Sequence, residues 1–207
     1  MGRHKDRIRA HYEPRIRPDR PNYDVVSWCD EASQRARFQV LVDNVELRGK
    51  SLLDVGCGLG DLWSFLQDRG IAVDYTGVDL LEKMVEAAHQ RNTGGRYLCA
   101  DIFAGDIFGG ARFDVVFSSG VFSLDVGNNR EFLPAAIARM FELCRDYLVF
   151  NLLDQRCGAQ GDFCVYFHPD EVLNLLAPFP CESRVIDGYL PNDFTVICRR
   201  CPPAGGM

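Results

Sequence analysis

Short apolar segments alternate with amphipathic stretches along the middle of the chain. Segments 51–55, 73–79, 96–101 and 113–118 have the patterns of short strands. Between them, stretches such as 82–91 repeat apolar residues at the spacing of a helix. Strands that alternate with helices predict a parallel sheet with helices on both of its faces.

The C-terminal third predicts a different end to the sheet. Residues 146–153 form a continuous apolar run, which is typical of a central strand. Strand patterns at 182–188 and 194–199 flank a turn with no helix between them, so they predict an antiparallel hairpin. We therefore predict an α/β fold, a Rossmann-like three-layer sandwich with a mostly parallel seven-stranded sheet and an antiparallel C-terminal hairpin.

We expect three segments along the chain. They are an N-terminal arm and lid helix (1–49), a ligand-binding domain (50–200) and a tail (201–207). Residues 1–26 are rich in Arg and Pro and lack a sustained period, which predicts an arm with short turns. Ser27 is the predicted N-cap of the lid helix.

The arm carries aromatic residues at Tyr12, Tyr23 and Trp28, which is more than a pure linker needs. It directly precedes the helix that leads into the glycine-rich segment described next. We therefore expect the arm to close over a bound ligand and exclude water.

A glycine-rich turn follows the first strand directly. Its glycines occupy alternate positions, Gly56, Gly58 and Gly60. Glycine lets the chain turn sharply and lets a ligand approach the backbone. A helical pattern begins at about Asp61, so the amides of the turn converge near a helix N-terminus. Asp79 ends the second strand, where an α/β nucleotide-binding unit places a carboxylate for the ribose hydroxyls.

The spacing of the glycines disfavours other nucleotide sites. A dinucleotide fingerprint needs G-x-G-x-x-G, and its last position here is Asp61, which argues against an NAD-dependent oxidoreductase. The turn also lacks the Lys-Ser/Thr ending of a phosphate-binding loop. Asp54 enters the turn and no basic residue lies within it, so a cationic ligand fits better than a pyrophosphate.

At these positions the sequence resembles the class I S-adenosylmethionine (SAM)-dependent methyltransferases, whose first motif has the form D-x-G-x-G-x-G. The matching residues are Asp54, Gly56, Gly58 and Gly60. The resemblance implies SAM as the cofactor, with Asp79 and the adjacent Leu80 at its ribose and Asp101 and Ile102 at its adenine. Segment 113–119 looks like the fourth motif of the family, which places Ser119 near the methionine part of SAM.

Arg37 lies on the helix before the glycine-rich turn, so it could pair with the carboxylate of SAM or face solvent. For catalysis the candidates are His168, Tyr166 and Asp125, which we place near the same rim of the sheet. His168 could act as a base or only cap a helix, and Asp125 could only cap a turn. Tyrosines such as Tyr166 more often pack than catalyse.

Composition and charge limit the remaining possibilities. The chain of 207 residues is 47% apolar and 25% charged, as expected for one globular domain. It has no apolar run long enough to span a bilayer and no apolar core after its first charges, so we expect neither a membrane span nor a secretory signal. Nine cysteines, an odd number, favour free thiols in a reducing cytoplasm.

Cys198 and Cys201 have the spacing of a zinc knuckle, and Cys157 with Cys164 could complete four ligands. A single such pair is usually coincidence, so we expect no metal. Residues 1–20 hold seven Lys or Arg against three Asp or Glu, while the whole chain has a net charge of −6. The acidic body argues against a nucleic-acid partner.

These patterns predict a SAM-dependent methyltransferase that acts on a small-molecule acceptor, as a monomer or homodimer. The acceptor class follows by elimination, because motifs typical of base-, cytosine- and protein-arginine-methylating enzymes are missing. The alternative is a SAM-binding partner or regulatory module without its own turnover, since no acceptor-side residue stands out as catalytic.

Overall fold

The structure, a computed structural model, describes residues 2–158 and 161–202. Its strands are β1 Ser51–Val55, β2 Asp74–Asp79, β3 Arg96–Cys99, β4 Phe113–Ser119, β5 Cys144–Asp154, β6 Tyr166–Phe167, β7 Cys181–Ile186 and β8 Asp193–Arg200. The helices are α1 Gly2–Tyr12, α2 Asn22–Val25, α3 Glu31–Asn44, α4 Asp61–Asp68, α5 Glu82–Arg91, α6 Asn129–Leu143 and α7 Pro169–Leu176.

The strands form one sheet in the order β3-β2-β1-β4-β5-β8-β7. All neighbours along this path are parallel except β8, which runs antiparallel to both β5 and β7. The predicted fold class is confirmed. The short strand β6, which pairs with the end of β5, is an eighth strand that the sequence did not indicate.

The sheet separates two apolar clusters, because successive side chains of a strand point to opposite faces. In β1, Leu53 joins the cluster under α6 and α7, whereas Leu52 joins the cluster under α3, α4 and α5. Val116 and Val115 of β4 divide in the same way. No helix among the described residues has both the length and the apolar character that crossing a membrane requires.

The N-terminal segment differs from the prediction in two ways. Residues 2–12 form a helix rather than short turns, and a 3₁₀ turn, Glu13–Arg15, follows it. The N-cap of α3 is Asp30, whose side chain accepts from the amide of Ser33 at 2.6 Å, so the prediction of Ser27 is wrong. Ser27 instead adopts a left-handed backbone conformation with φ of 64°.

The N-terminal segment packs on the carboxyl edge of the sheet through a third apolar cluster. Ile8 of α1 and Val25 of α2 contact a patch that includes Leu59 after β1 and Leu81 after β2. The chain order reverses between β1 and β4 at this edge, and such a switch point is where open α/β sheets bind ligands. The fold therefore places α1 over the expected ligand site.

Candidate active site

A cavity of about 470 Å³ lies at the carboxyl edge of the sheet beneath α1. It collects eight of the ten predicted cofactor residues: Asp54, Gly56, Gly58, Asp79, Leu80, Asp101, Ile102 and Ser119. These residues come from the ends of β1, β2 and β4 and from the loop after β3, so four separate segments converge on one space. Gly60 and Arg37 lie outside this lining.

The glycine-rich turn is tied to the end of β2 by Asp79. The amide of Gly58 donates to one carboxylate oxygen at 3.0 Å, and the amide of Leu81 donates to the other at 2.9 Å. Gly58 itself has a left-handed φ of 53°, which glycine adopts without strain. Because a carboxylate has about four lone-pair directions, Asp79 can accept further hydrogen bonds from a ligand.

Gly60 has a packing role behind the turn. A Cβ atom at this position would lie 2.5 Å from the hydroxyl of Tyr97 and 2.8 Å from the side-chain amide of Asn92. The third glycine is therefore required by close packing of α4 against the neighbouring elements, and it does not face the cavity.

The cavity is acidic on the side of the glycine-rich turn. Burial raises the pKa of Asp54 to about 7, against a hydrogen bond from Tyr75, and Asp79 and Asp61 add to the rise. Burial also raises the pKa of Asp79, against hydrogen bonds from backbone amides. Lys5 is the only lysine or arginine among the described residues of the lining. This balance suits a ligand that brings positive charge.

Two serine hydroxyls at the end of β4 have no protein partner. The Oγ atoms of Ser118 and Ser119 are buried without a hydrogen bond, and Ser119 lines the cavity. Buried polar atoms are nearly always satisfied, so an orphaned hydroxyl on a cavity wall indicates a polar ligand group. The donor set therefore fits the ammonium, sulfonium and ribose groups of SAM.

The structure corrects the predicted role of Arg37. Its side chain is 3% exposed and forms an ion pair with Asp193 at 2.6 Å. Its guanidinium also lies 3.8 Å from the ring centroid of Trp28. These contacts occupy the guanidinium behind the cavity wall, and Arg37 does not line the cavity.

The three predicted catalytic residues also lie outside the cavity lining, and each has a local structural role. His168 is the N-cap of α7, where its Nδ1 accepts from the amide two residues ahead at 3.3 Å. The hydroxyl of Tyr166 accepts from the amide of Gly161 at 2.9 Å. Asp125 accepts from the amide of Gly127 at 2.7 Å, which closes a turn.

Helix α1 contributes five residues to the cavity lining. Tyr12 was expected at this site, whereas His4, Lys5, Ile8 and His11 were not predicted from the sequence. Positions 4, 8, 11 and 12 share one face of a helix, and this spacing was the only signal available. Burial raises the pKa of Tyr12 to about 12, with Asp79 adding to the rise, so its phenol stays neutral beside that carboxylate.

His11 is the titratable group of α1 best placed for proton transfer. Its Nε2 lies 2.9 Å from the hydroxyl of Ser27, and both residues line the cavity. Burial lowers the pKa of His11, and nearby Arg15 adds to the effect, so the imidazole is neutral at pH 7. His4, in contrast, donates from Nδ1 to the carbonyl of Val126 at 2.9 Å, which ties α1 to the loop after β4.

The part of the cavity away from the acidic turn is aromatic. Its wall includes Trp28, Phe103, Phe122, Phe132 and Phe163. Phe122 is buried, whereas Phe163 is 77% exposed. Within residues 2–158 and 161–202, no three side chains of the metal-binding types converge on a common point.

Comparison with known proteins agrees with this geometry. A family model described as a methyltransferase domain matches residues 52–146. The malonyl-[acyl-carrier protein] O-methyltransferase of Acetivibrio thermocellus is 31% identical over 106 residues, which are 49% of this chain and 35% of the relative. The ubiquinone biosynthesis O-methyltransferase of Coxiella burnetii (strain Dugway 5J108-111) is 37% identical over 70 residues, which are 32% of this chain and 29% of the relative. The matched segments thus span about a third of each relative.

A solved structure extends the likeness over the whole fold. Magnesium protoporphyrin IX methyltransferase from Synechocystis PCC 6803, with bound SAM, superposes with a TM-score of 0.67. The alignment covers 96% of this chain and 97% of that chain at 18% sequence identity. The fold and the site define a SAM-binding α/β protein. Residues 52–146 match a methyltransferase domain, and the chain has the fold of the SAM-bound methyltransferase on which it superposes.

Proposed function

We propose that this chain transfers a methyl group from SAM to a small-molecule acceptor bound beneath α1. The observation that carries the proposal is the cavity itself, in which an acidic half with orphaned hydroxyls joins an aromatic half. When bound, SAM supplies a methyl group already activated on a positively charged sulfur. The chain therefore needs to hold the acceptor in line, exclude water and accept a proton.

On the cofactor side, each residue of the acidic half is assigned to one part of SAM. Asp79 receives the ribose hydroxyls, and Asp54 faces the ammonium group. Asp101 receives the adenine amine while Ile102, only 2% exposed, packs against the ring. Ser119 offers its orphaned hydroxyl to the methionine part.

On the acceptor side, the aromatic wall favours a flat and largely apolar molecule. The cavity volume lies within the range of small-molecule sites. Lys5 and His4 on α1 add polar groups at the same wall, which suits an acceptor with an acidic group. The two curated relatives are both O-methyltransferases by name, so carboxylic acids and phenols are the first acceptors to test.

His11 is the residue we assign as proton acceptor, through the hydroxyl of Ser27. A neutral imidazole next to a hydroxyl can remove a proton from an acceptor bound against either group. The left-handed φ of Ser27 is a strained conformation for a serine, and such strain is concentrated at functional sites. The conformation directs its hydroxyl toward His11.

Binding and transfer test the proposal separately. Calorimetry with SAM and with its demethylated product, S-adenosylhomocysteine, should show binding of both. Labelled SAM should then transfer its methyl group to at least one member of a panel of phenols and carboxylic acids. Binding without transfer to any acceptor, including a metabolite extract, would support a regulatory module instead. Absence of binding would overturn both readings.

The raised pKa of Asp54 predicts that cofactor binding depends on pH. Asp54 must be ionised to attract the ammonium group, and burial raises its pKa to about 7. A raised carboxyl pKa means that the charged form is lost as the pH falls through that value. We expect the affinity for S-adenosylhomocysteine to rise by up to about tenfold per pH unit from pH 6 to 7 and to level off above pH 8.

Asp54→Asn should weaken binding and reduce this dependence in calorimetric titrations at pH 6, 7 and 8. Part of the dependence should remain, because burial also raises the pKa of Asp79 in the acidic half. Asp114→Asn is the matched control, because Asp114 lies outside the cavity lining. Against the effect of burial, hydrogen bonds from Ser51 hold its pKa below the usual range, so it is ionised throughout. A pH dependence as steep in Asp54→Asn as in the native chain would contradict the assignment.

The position of α1 predicts that the N-terminal segment acts as a lid, with the residues before α3 as the covering part. Deleting residues 1–20 removes Ile8 and Tyr12 from the cavity wall. We expect affinity for S-adenosylhomocysteine to fall by about tenfold, which corresponds to roughly 1.4 kcal/mol. Thermal unfolding should remain cooperative, because both main apolar clusters lie elsewhere.

Two point variants on α1 test whether the loss of affinity comes from the side chains that face the cavity or from any change in the helix. Ile8→Ser changes the face toward the cavity and should reproduce part of the loss. Arg9→Ser changes a side chain that is 51% exposed and should bind like the intact chain. If the truncated chain bound and turned over normally, the segment would be only a leader.

A further inference from the structure

A buried polar cluster lies behind the cavity wall, and none of its members lines the cavity. It joins Arg37 of α3, Asn151 of β5 and Asp193 of β8, which are 3%, 2% and 1% exposed. Tyr189 and Thr195 complete it from the turn before β8 and from β8 itself. Removing charged groups from water costs free energy, so a buried cluster that contains an ion pair calls for a structural or functional explanation.

Asp193 is the centre of this cluster. Its Oδ2 accepts from Nε of Arg37 at 2.9 Å and from Nη2 at 2.6 Å. Its Oδ1 accepts from Nδ2 of Asn151 at 3.0 Å and from the hydroxyl of Tyr189. Arg37 also donates from Nη1 to the carbonyl of Ser33 at 2.7 Å. The carboxylate is thus satisfied from three elements, so the position of each depends on the others.

Two branches lead from this centre to the cavity wall. In one, the Oδ1 of Asn151 accepts from the amide of Gly120 at 3.2 Å. Gly120 is the residue after Ser119, whose buried hydroxyl has no hydrogen-bond partner. In the other, the guanidinium of Arg37 stacks on Trp28 at 3.8 Å. Both Gly120 and Trp28 line the cavity.

The two branches meet. A Cβ atom at Gly120 would lie 2.7 Å from Cζ2 of Trp28, so the indole rests on the bare backbone of the turn. Gly120 also has a left-handed φ of 78°. The indole comes from the segment before α3, whereas the turn comes from the end of β4. Their contact therefore joins the lid to the sheet at the cavity wall.

From this geometry we propose that Arg37, Asn151 and Asp193 are positioning residues for methyl transfer. They hold Trp28 and the 119–121 turn in one relative arrangement, and with them the part of the cavity wall that these residues form. A displacement of about 1 Å at such a wall can cost up to 10²-fold in rate without loss of binding. The kinetic part of this proposal rests on the proposed function, whereas the placement of Trp28 does not.

Arg37→Lys is the principal test. Lysine keeps the positive charge beside Asp193 but cannot donate from a planar fork or stack in the same way. The chain has two tryptophans, so a Trp63→Phe background makes Trp28 the only one. We expect acrylamide quenching of Trp28 to increase at least about twofold and kcat to fall about tenfold. The affinity for S-adenosylhomocysteine should change less than threefold.

Arg200→Lys in the same background is the matched control. Arg200 also stacks on an aromatic ring, Phe141, at 3.8 Å and donates to backbone carbonyls, but it does not line the cavity. It should lower the melting temperature to a similar degree while leaving Trp28 quenching and kcat unchanged. If Arg37→Lys behaves like Arg200→Lys, the cluster is only structural and the proposal is wrong.

Asn151→Ser provides a second route if Arg37→Lys does not fold. It removes the contact to Gly120 and the hydrogen bond to Asp193, but it keeps both side chains of the Arg37–Asp193 pair. Increased Trp28 quenching with a lower kcat and normal binding would support the proposal, and unchanged quenching would contradict it. Should the chain bind S-adenosylhomocysteine but methylate nothing, only the proposed function fails, because the quenching experiment still decides the placement of Trp28.

Discussion

His11→Ala should lower kcat by about 10²- to 10⁴-fold, the usual contribution of a general base. The affinity for S-adenosylhomocysteine should stay within about threefold, because the acidic half of the cavity is unchanged. Burial lowers the pKa of His11, so the native enzyme has the neutral base at pH 7 and loses activity as the pH falls through that lowered pKa. The variant should lose this acidic limb in a pH–rate profile of kcat.

His4→Gln is the control for His11→Ala. His4 lies on the same helix and the same cavity wall, but its Nδ1 donates to the carbonyl of Val126. Glutamine can still donate to a carbonyl, so we expect kcat to fall less than about threefold. A large loss in His4→Gln with a small one in His11→Ala would move the role of base to His4. Equal rates in all three proteins would mean that neither His4 nor His11 accepts the proton.

Asp79→Ala should weaken the binding of S-adenosylhomocysteine by roughly 1.5–3 kcal/mol, the value of a charge-assisted contact. The structure gives a second reason for the loss, because Asp79 also accepts from the amides of Gly58 and Leu81. Removing the carboxylate therefore removes the hydrogen bonds that hold the glycine-rich turn and also the proposed acceptor for the ribose hydroxyls. Calorimetry measures the affinity directly.

Asp106→Ala is the control for Asp79→Ala. Asp106 also accepts from two backbone amides, those of Phe108 at 3.2 Å and Gly110 at 2.8 Å, but it lies outside the cavity lining. Its variant should bind like the native chain. Equal affinity for Asp79→Ala and the native chain would remove Asp79 from the proposed cofactor site.

The parts of the fold that the sequence predicted are those in which neighbouring residues determine the structure. Strand β1, the glycine-rich turn and α4 follow one another within 18 residues, and each has its own local pattern. The end of β2 at Asp79 was likewise predicted from the local pattern of its own segment. The match of this segment to a family model reflects the same local information.

The sequence predictions failed where contacts between residues far apart in the chain determine the structure. Arg37 finds its partner Asp193 at a separation of 156 residues, so nothing near Arg37 indicated a buried ion pair. Helix α1 has few apolar residues, and its contact with Leu59 and Leu81 supplies the apolar partner that its own sequence lacks. For His168 the sequence left a base and a helix cap as alternatives, and the structure shows the cap at the start of α7.

The place of β8 in the sheet has a consequence for the boundaries of the folding unit. The family match ends at residue 146, yet β5 begins at Cys144 and is paired along most of its length with β8. A fragment cut at the family boundary would lack most of β5 and every partner of β4 on that side except Cys144. It would also leave Arg37 without its carboxylate. The segment by which the family is recognised is therefore smaller than the segment that can fold.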